Sequence, residues 1–329
     1  MGRSAVNPTL LEVRKLRIHL PTASGMSTVV DGVDFEVRRG EVFGIAGESG
    51  SGKTMSVLAL LGLLPDGAVV EGSAKYDGIE LLGLKGPSMR EIRGAEIAMV
   101  FQDPMTSLHP MLSVERQLTE HVRYHLGVSA RQARIRAAQL LREVRIPDPE
   151  SALGGYPHQF SGGMRQRIAI AIALACNPKL LIADEPTTAL DVTVQAGVLR
   201  LLDRLRVEAG LSVVMITHDL GVMSSIAEWL TVMYAGRVVE SGRTADVLAR
   251  PRHPYTAGLL AALPHPEAPA ETALRAIKGA PPSPLARPAG CAFHPRCDYA
   301  RPSCSTSVPA LVPIGEGRTL ACPVDPLIA

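Results

Sequence analysis

Aromatic side chains are scarce. Phe, Trp and Tyr make up 4% of the 329 residues, so the core has to be built from aliphatic side chains. A bias of charge is missing as well: 34 Lys and Arg stand against 32 Asp and Glu, a formal net charge of +2. That near-balance gives no electrostatic case for nucleic acid as the main partner. No stretch approaches the ~20 uninterrupted apolar residues that a membrane-spanning helix needs. The longest candidate, Ile168 to Cys176, is too short and reads as a buried helix. No apolar region follows Met1-Gly2-Arg3-Ser4, so no secretory signal is expected and the chain is expected to stay in the cytosol. Cysteine is nearly absent before residue 250, where only Cys176 occurs; on its apolar helix it reads as a buried core thiol.

The most specific pattern present is Gly47-Glu48-Ser49-Gly50-Ser51-Gly52-Lys53-Thr54, a phosphate-binding loop. Its glycines let the backbone curl so that successive N–H groups point at phosphate oxygens. Lys53 reaches the outer phosphates, and the Thr54 hydroxyl is a ligand for Mg²⁺. A helix starting near Gly52 adds the positive end of its dipole. A glycine-rich surface loop would need no such context, whereas here an apolar strand, Glu41 to Ala46, precedes and a helix, Thr54 to Leu61, follows.

Further strands are expected over Leu11–Leu20, Val29–Val37, Leu180–Ala183 and Ser212–Thr217, with a hairpin over Val232–Ser241 turning at Ala235-Gly236. Residues 113 to 146 carry Ala133, Ala137, Leu140, Leu141 and Val144 at helical spacing. Strands alternating with helices predict an α/β core with a parallel sheet. A helix-only stretch, about 103–170, reads as inserted into it. Beyond residue 250 Pro and Gly become dense, which places a boundary there: 1–250 as the nucleotide-binding domain, 251–329 as a small loop-rich extension.

Leu180 to Ala183 ends in Asp184 and Glu185. A carboxylate at a strand tip beside a phosphate loop is placed to hold Mg²⁺, and the next one to accept a proton from an attacking water. Ser161-Gly162-Gly163-Met164, ahead of the helix Ile168 to Cys176, forms another anion site: free N–H groups, a hydroxyl and a helix dipole. One nucleotide does not need two such sites from one chain, so this one is expected to serve a nucleotide held by a second subunit. An ordinary serine N-cap is the plainer alternative.

Residues 11–250 resemble the ATP-binding subunits of ABC transporters. Ser161-Gly162-Gly163-Met164-Arg165-Gln166-Arg167 is similar to the family signature, Gln102 to the Q-loop glutamine, Ala189-Leu190-Asp191 to the D-loop and His218 to the switch histidine. The resemblance implies the ABC-type P-loop ATPase fold, with a mixed sheet core and an inserted helical subdomain. It also implies a head-to-tail dimer with ATP between the phosphate loop of one domain and the signature of the other. ATP contacts fall on 47–54, Gln102 and Asp184, Mg²⁺ on Thr54, Gln102 and Asp184, and catalysis on Glu185, His218 and Gln102. One departure concerns adenine, which the family stacks on an aromatic of the first strand: here Ile18, His19 and Leu20 stand nearby, leaving His19 or an aliphatic such as Val29 to pack on the base.

Within the family the chain resembles the ATPases of dipeptide, oligopeptide and nickel importers. The stretches that carry this are the phosphate loop, Phe101-Gln102-Asp103-Pro104-Met105-Thr106-Ser107-Leu108, Tyr156 to Arg167, and Arg252-His253-Pro254-Tyr255-Thr256. This implies a second, non-identical ATPase, two transmembrane permease subunits, a substrate-binding protein acting indirectly, and a peripheral place on the cytoplasmic face of the membrane. Nickel import, a soluble ABC ATPase of DNA repair or translation, and a redox- or iron-sensing regulatory subunit are the alternatives. Cys291, Cys297, Cys304 and Cys322 are separated by five, six and seventeen residues. A reducing compartment disfavours disulfides, and a metal staple would stabilise so small a segment. The spacing is looser than usual for zinc. The subfamily resemblance implies a 4Fe-4S cluster on these four cysteines, with zinc or unmetallated thiols as alternatives.

Overall fold

The computed structural model describes residues 8–23, 25–103, 107–187, 190–263, 276–284 and 286–324. They form two compact units. One comprises 38–41 and 84–216, the other 9–37, 42–83 and the chain from Thr217 onward.

In the first unit, α2 (Gly86–Ile92) precedes β6 (Ile97–Val100), and β6, β7 (Leu180–Asp184) and β8 (Ser212–Thr217) pair in parallel, with Ile97 opposite Leu180 and Leu180 opposite Ser212. All residues of β7 and β8 are buried, as continuous apolar runs are when both faces of a parallel sheet are covered. Between β6 and β7 runs a helical stretch: α3 (Val114–Leu126), α4 (Ala130–Glu143), α5 (Pro149–Ala152) and α6 (Gly162–Ala173). Its starts are written locally. Ser113 caps α3, Ser129 and Gln132 form a capping box on α4, and Ser161 caps α6. Val114, Leu118 and Val122 make the buried face of α3; Ala133, Ala137, Leu140 and Leu141 lie on that of α4. After β7, α7 (Val192–Ala209) runs from the Asp191 cap to a left-handed Gly210.

In the second unit, β1 (Thr9–Thr22), β2 (Gly25–Arg38), β4 (Val69–Tyr76) and β5 (Ile79–Glu80) form a sheet in the order β2-β1-β4-β5. Also here, β3 (Val42–Ala46) pairs in parallel with β9 (Trp229–Tyr234), which turns back into antiparallel β10 (Arg237–Arg243). α1 (Lys53–Leu60) follows β3, and α8 (Leu220–Ile226) precedes β9. Gly44 in β3 admits no side chain: a Cβ there would lie 2.6 Å from Met223 Sδ of α8. Beyond α9 (Thr244–Ala249) and α10 (Pro254–Ala261), the C-terminal segment adds two more strands. β12 (Arg318–Leu320) pairs with β10, and β11 (Val312–Gly315) with β12.

Candidate functional site

The phosphate loop connects β3 to α1 in the second unit. Gly47 has φ 149, and a Cβ would stand 2.2 Å from the Met233 carbonyl oxygen, so only glycine fits where β9 passes. Gly52, with φ 98, turns the chain into α1. Lys53 Nζ folds back over the loop and donates to the carbonyls of Gly47 (2.7 Å) and Glu48 (2.9 Å). The loop is thus already curled, with its one lysine at the centre of the curl. Ser51 O accepts from the Gly236 N–H (2.9 Å) of the β9–β10 turn. His218 lies exposed in the same unit, one residue ahead of Asp219, whose carboxylate caps α8.

The first unit holds the remaining predicted residues. Asp184 is buried at the end of β7. Glu185 follows with φ 46, a left-handed backbone unusual for a residue with a side chain, and its N–H donates to Ile216 O (2.8 Å). Gln102 Nε2 donates to Glu185 Oε2 at 3.1 Å, so two residues 83 positions apart are brought together. Ser161 Oγ accepts from Met164 N (3.3 Å), and Asp191 Oδ1 from Val194 N (2.9 Å). Gly163 packs against the helix that Asp191 begins: a Cβ would meet Val194 Cγ1 at 2.5 Å. Pro104, Met105, Thr106 and Ala189 lie outside the described residues.

At the expected adenine side, His19 is engaged by its neighbour: Nδ1 lies 2.9 Å from Thr28 Oγ1. A residue of the C-terminal segment also arrives there, with Arg287 Nη2 donating to Thr28 O (3.2 Å).

Sequence reasoning missed how closely that segment meets the phosphate loop. Tyr255, fully buried, receives the Glu48 N–H on its hydroxyl at 2.7 Å. Tyr234, Tyr255 and Phe293 pack with ring centroids 4.6–5.3 Å apart, gathering scarce aromatics against the loop. The Arg252-His253-Pro254-Tyr255-Thr256 stretch was the available signal, though nothing local says what Tyr255 touches.

The four C-terminal cysteines lie within one another's electrostatic reach: Cys297 feels Cys322, Cys291 and Cys304. Burial pushes the Cys297 thiol up to about 11 and raises Cys291 and Cys322 as well. Nearby backbone N–H groups work against that rise at Cys291 and Cys297, and a sulfur accepts a backbone N–H at Cys304, from Arg301 (3.5 Å), and at Cys322, from Val324 (3.3 Å). Among the described residues no group of three or more His, Cys, Asp or Glu is placed to hold a metal ion.

Fold and loop together define a nucleotide-hydrolysing P-loop protein, and comparison with known proteins specifies which kind. Residues 30–188 match the ABC transporter family model, and 239–304 match that of the oligopeptide/dipeptide transporter C-terminal region. The oligopeptide transport ATP-binding protein OppD of Escherichia coli is 47% identical over 321 residues, covering 97% of this chain and 95% of that protein. The dipeptide transport ATP-binding protein DppD of the same organism is 46% identical over 319 residues, covering 96% and 97%. A solved dimeric ATP-binding cassette, in a post-hydrolysis state with ADP and Pi, aligns at TM-score 0.64 and 28% identity, covering 71% of this chain and 98% of that one. The chain belongs to the ATP-binding subunits of ABC transporters, in the oligopeptide and dipeptide branch. It is therefore an ABC-type ATPase that uses ATP and Mg²⁺ and works with membrane permease subunits. No helix among the described residues is long and apolar enough to cross a membrane.

Proposed function

We propose that this chain energises the import of dipeptides or oligopeptides from the cytoplasmic face of the cell membrane, paired with a second, non-identical ATPase, two permease subunits and a substrate-binding protein. The observation carrying this reading is similarity along nearly the whole chain to transport ATPases of both peptide classes, C-terminal region included.

In this reading Gly47, Glu48, Ser49, Gly50, Ser51, Gly52, Lys53 and Thr54 hold the phosphates of ATP. The Lys53 ammonium exchanges its bonds to Gly47 O and Glu48 O for phosphate oxygens. Thr54, Asp184 and Gln102 would hold Mg²⁺, which would supply positive charge against that developing on the phosphates. Glu185 takes the proton of the attacking water while Gln102, already 3.1 Å from its carboxylate, orients the pair, and His218 meets the γ-phosphate. Ser161, Gly162, Gly163 and Met164 act on the partner's ATP, with Asp191 at the subunit junction. Glu185→Gln keeps the shape and removes the base. We expect ATP binding to persist while turnover of the assembled importer falls by a factor on the order of 10² or more. Undiminished turnover would remove Glu185 from this role.

For the four cysteines we propose a 4Fe-4S cluster, zinc being the alternative. Support comes from the donor set: four thiols within electrostatic reach, with the Cys304 and Cys322 sulfurs each accepting an amide N–H, the kind of contact that tunes thiolate-bound iron. The group would tie together a segment with little core of its own. Protein purified without oxygen is expected to be brown and to contain iron and acid-labile sulfide. Colourless protein with one zinc per chain would point to the alternative.

A further inference from the structure

Glu48, the second residue of the phosphate loop, is gripped from three sides. Its carbonyl oxygen accepts from Lys53 Nζ (2.9 Å) and its N–H donates to the Tyr255 hydroxyl (2.7 Å). Its carboxylate takes a two-pronged ion pair from a residue 248 positions away: Arg296 Nη1 to Oε2 at 2.6 Å and Nη2 to Oε1 at 3.0 Å. The Arg296 side chain is 6% exposed, so this pair is largely withdrawn from water. The guanidinium is itself fixed. Nε donates to Lys278 O (2.8 Å), Nη1 also reaches the Tyr234 hydroxyl (3.2 Å), and Cζ stands 5.8 Å from the Tyr234 ring centre. A fork-on-carboxylate pair of this kind sets orientation as well as energy.

We propose that Arg296 is a positioning residue for ATP binding: through Glu48 it holds the phosphate loop in its curled shape, and it makes that shape depend on the folded cysteine segment. Arg296 immediately precedes Cys297 and lies five positions after Cys291, so whatever loosens the segment also withdraws the clamp. Freeing Glu48 would require the loop to be ordered at the moment of binding, which weakens affinity more than it slows the chemical step. The clamp does not rest on any identity for the group the thiols hold.

The test measures equilibrium ATP binding by the purified full chain, alongside steady-state kinetics of the assembled importer. Arg296→Gln is expected to weaken ATP binding and raise KM about fivefold to tenfold, the size of one net hydrogen bond. kcat is expected to stay within about twofold. Arg296→Lys keeps the charge without the fork and recovers part of the loss. Glu48→Gln leaves Arg296 and the cysteines untouched and carries the test alone if Arg296→Gln does not fold. The double variant is expected to be no weaker than the weaker single. Unchanged ATP affinity in Glu48→Gln, or single losses that multiply in the double, overturns the proposal. Metal content of the same preparations separates the two ideas. Wild-type protein free of metal that still shows non-additive losses leaves the clamp standing without the cluster. Full metal content with additive losses does the reverse.

Discussion

Glu185 and His253 show how single residues are conditioned by where the chain puts them. Glu185 follows the buried strand β7 in a left-handed backbone, tied by its N–H to Ile216 O. A residue held in that region costs on the order of 1–3 kcal/mol, and such strain collects at working sites. His253 is a structural counterpart. It is fully buried, its Nδ1 accepts from Tyr255 N (3.0 Å), its ring packs on Phe293 at 6.0 Å, and its N–H donates to Glu240 Oε2. Burial pushes its pKa down from 6.5 to about 3, keeping the imidazole neutral. The unfolded chain therefore binds a proton that the folded chain does not between roughly pH 6.5 and 3, and stability falls with falling pH across that window, by up to about 1.4 kcal/mol per unit. Denaturant midpoints measured from pH 7 to 5 should show this slope, and His253→Asn, which retains a side-chain acceptor, should flatten it. An unaltered slope in that variant would place the titration elsewhere. At this scale the phosphate loop was fully legible, because eight contiguous residues specify one backbone path. The contact of Tyr255 with Glu48 was not, since nothing within either neighbourhood refers to the other.

Elements divide in the same way. β8 was expected at Ser212–Thr217 and lies there, and β7 extends its expected range by one residue; both are apolar runs bounded by polar or turn residues. β4 is not among the strands expected from the sequence. Its burial alternates weakly, and it carries Gly72, with φ 107, opposite a bulge of β1 where Lys15 has φ 48 and the register shifts between Arg14 and Arg17. A Cβ on Gly72 would lie 2.6 Å from the Arg14 and Lys15 carbonyl oxygens, so the glycine answers a cross-strand demand that its own segment does not state. The attachment of β12 to β10 was equally hidden. It centres on Glu240, fully buried, whose carboxylate accepts from Arg252 N (2.9 Å), His253 N (3.0 Å) and Arg318 Nη2 (2.6 Å). Arg318 also donates to Arg250 O at 2.8 Å. Arg318→Met would strand the Glu240 charge away from water and is expected to cost about 3–5 kcal/mol, read as a lower urea midpoint. Combining it with Glu240→Gln should recover part of that loss, because no uncompensated charge then remains. A loss under about 1 kcal/mol in the single variant would mean that the ion pair does not hold the strand.

At the scale of the whole molecule, one unit carries the phosphate loop, His218 and the C-terminal segment, and the other carries Gln102, Asp184, Glu185, Asp191 and the Ser161-Gly162-Gly163-Met164 stretch. Ser161 and Asp191 both cap helices, and Gly163 lies against Val194, so the start of the Ser161-capped helix packs on the helix after Asp191. A cap explains the serine and Val194 explains Gly163, but neither explains Gly162, where a Cβ would meet nothing within 4 Å. Close approach of another body to that first turn does explain it. If that body is the nucleotide of a partner ATPase, Ser161→Arg should leave ATP affinity of the isolated chain unchanged while cutting turnover of the assembled importer. Lys53→Ala should abolish both, because its own phosphate loop is then disabled. The two measurements, nucleotide binding by the chain alone and hydrolysis by the complex, give opposite patterns for a self-contained site: Ser161→Arg would then weaken binding by the isolated chain, and the signature would have to be assigned to this chain's own ATP.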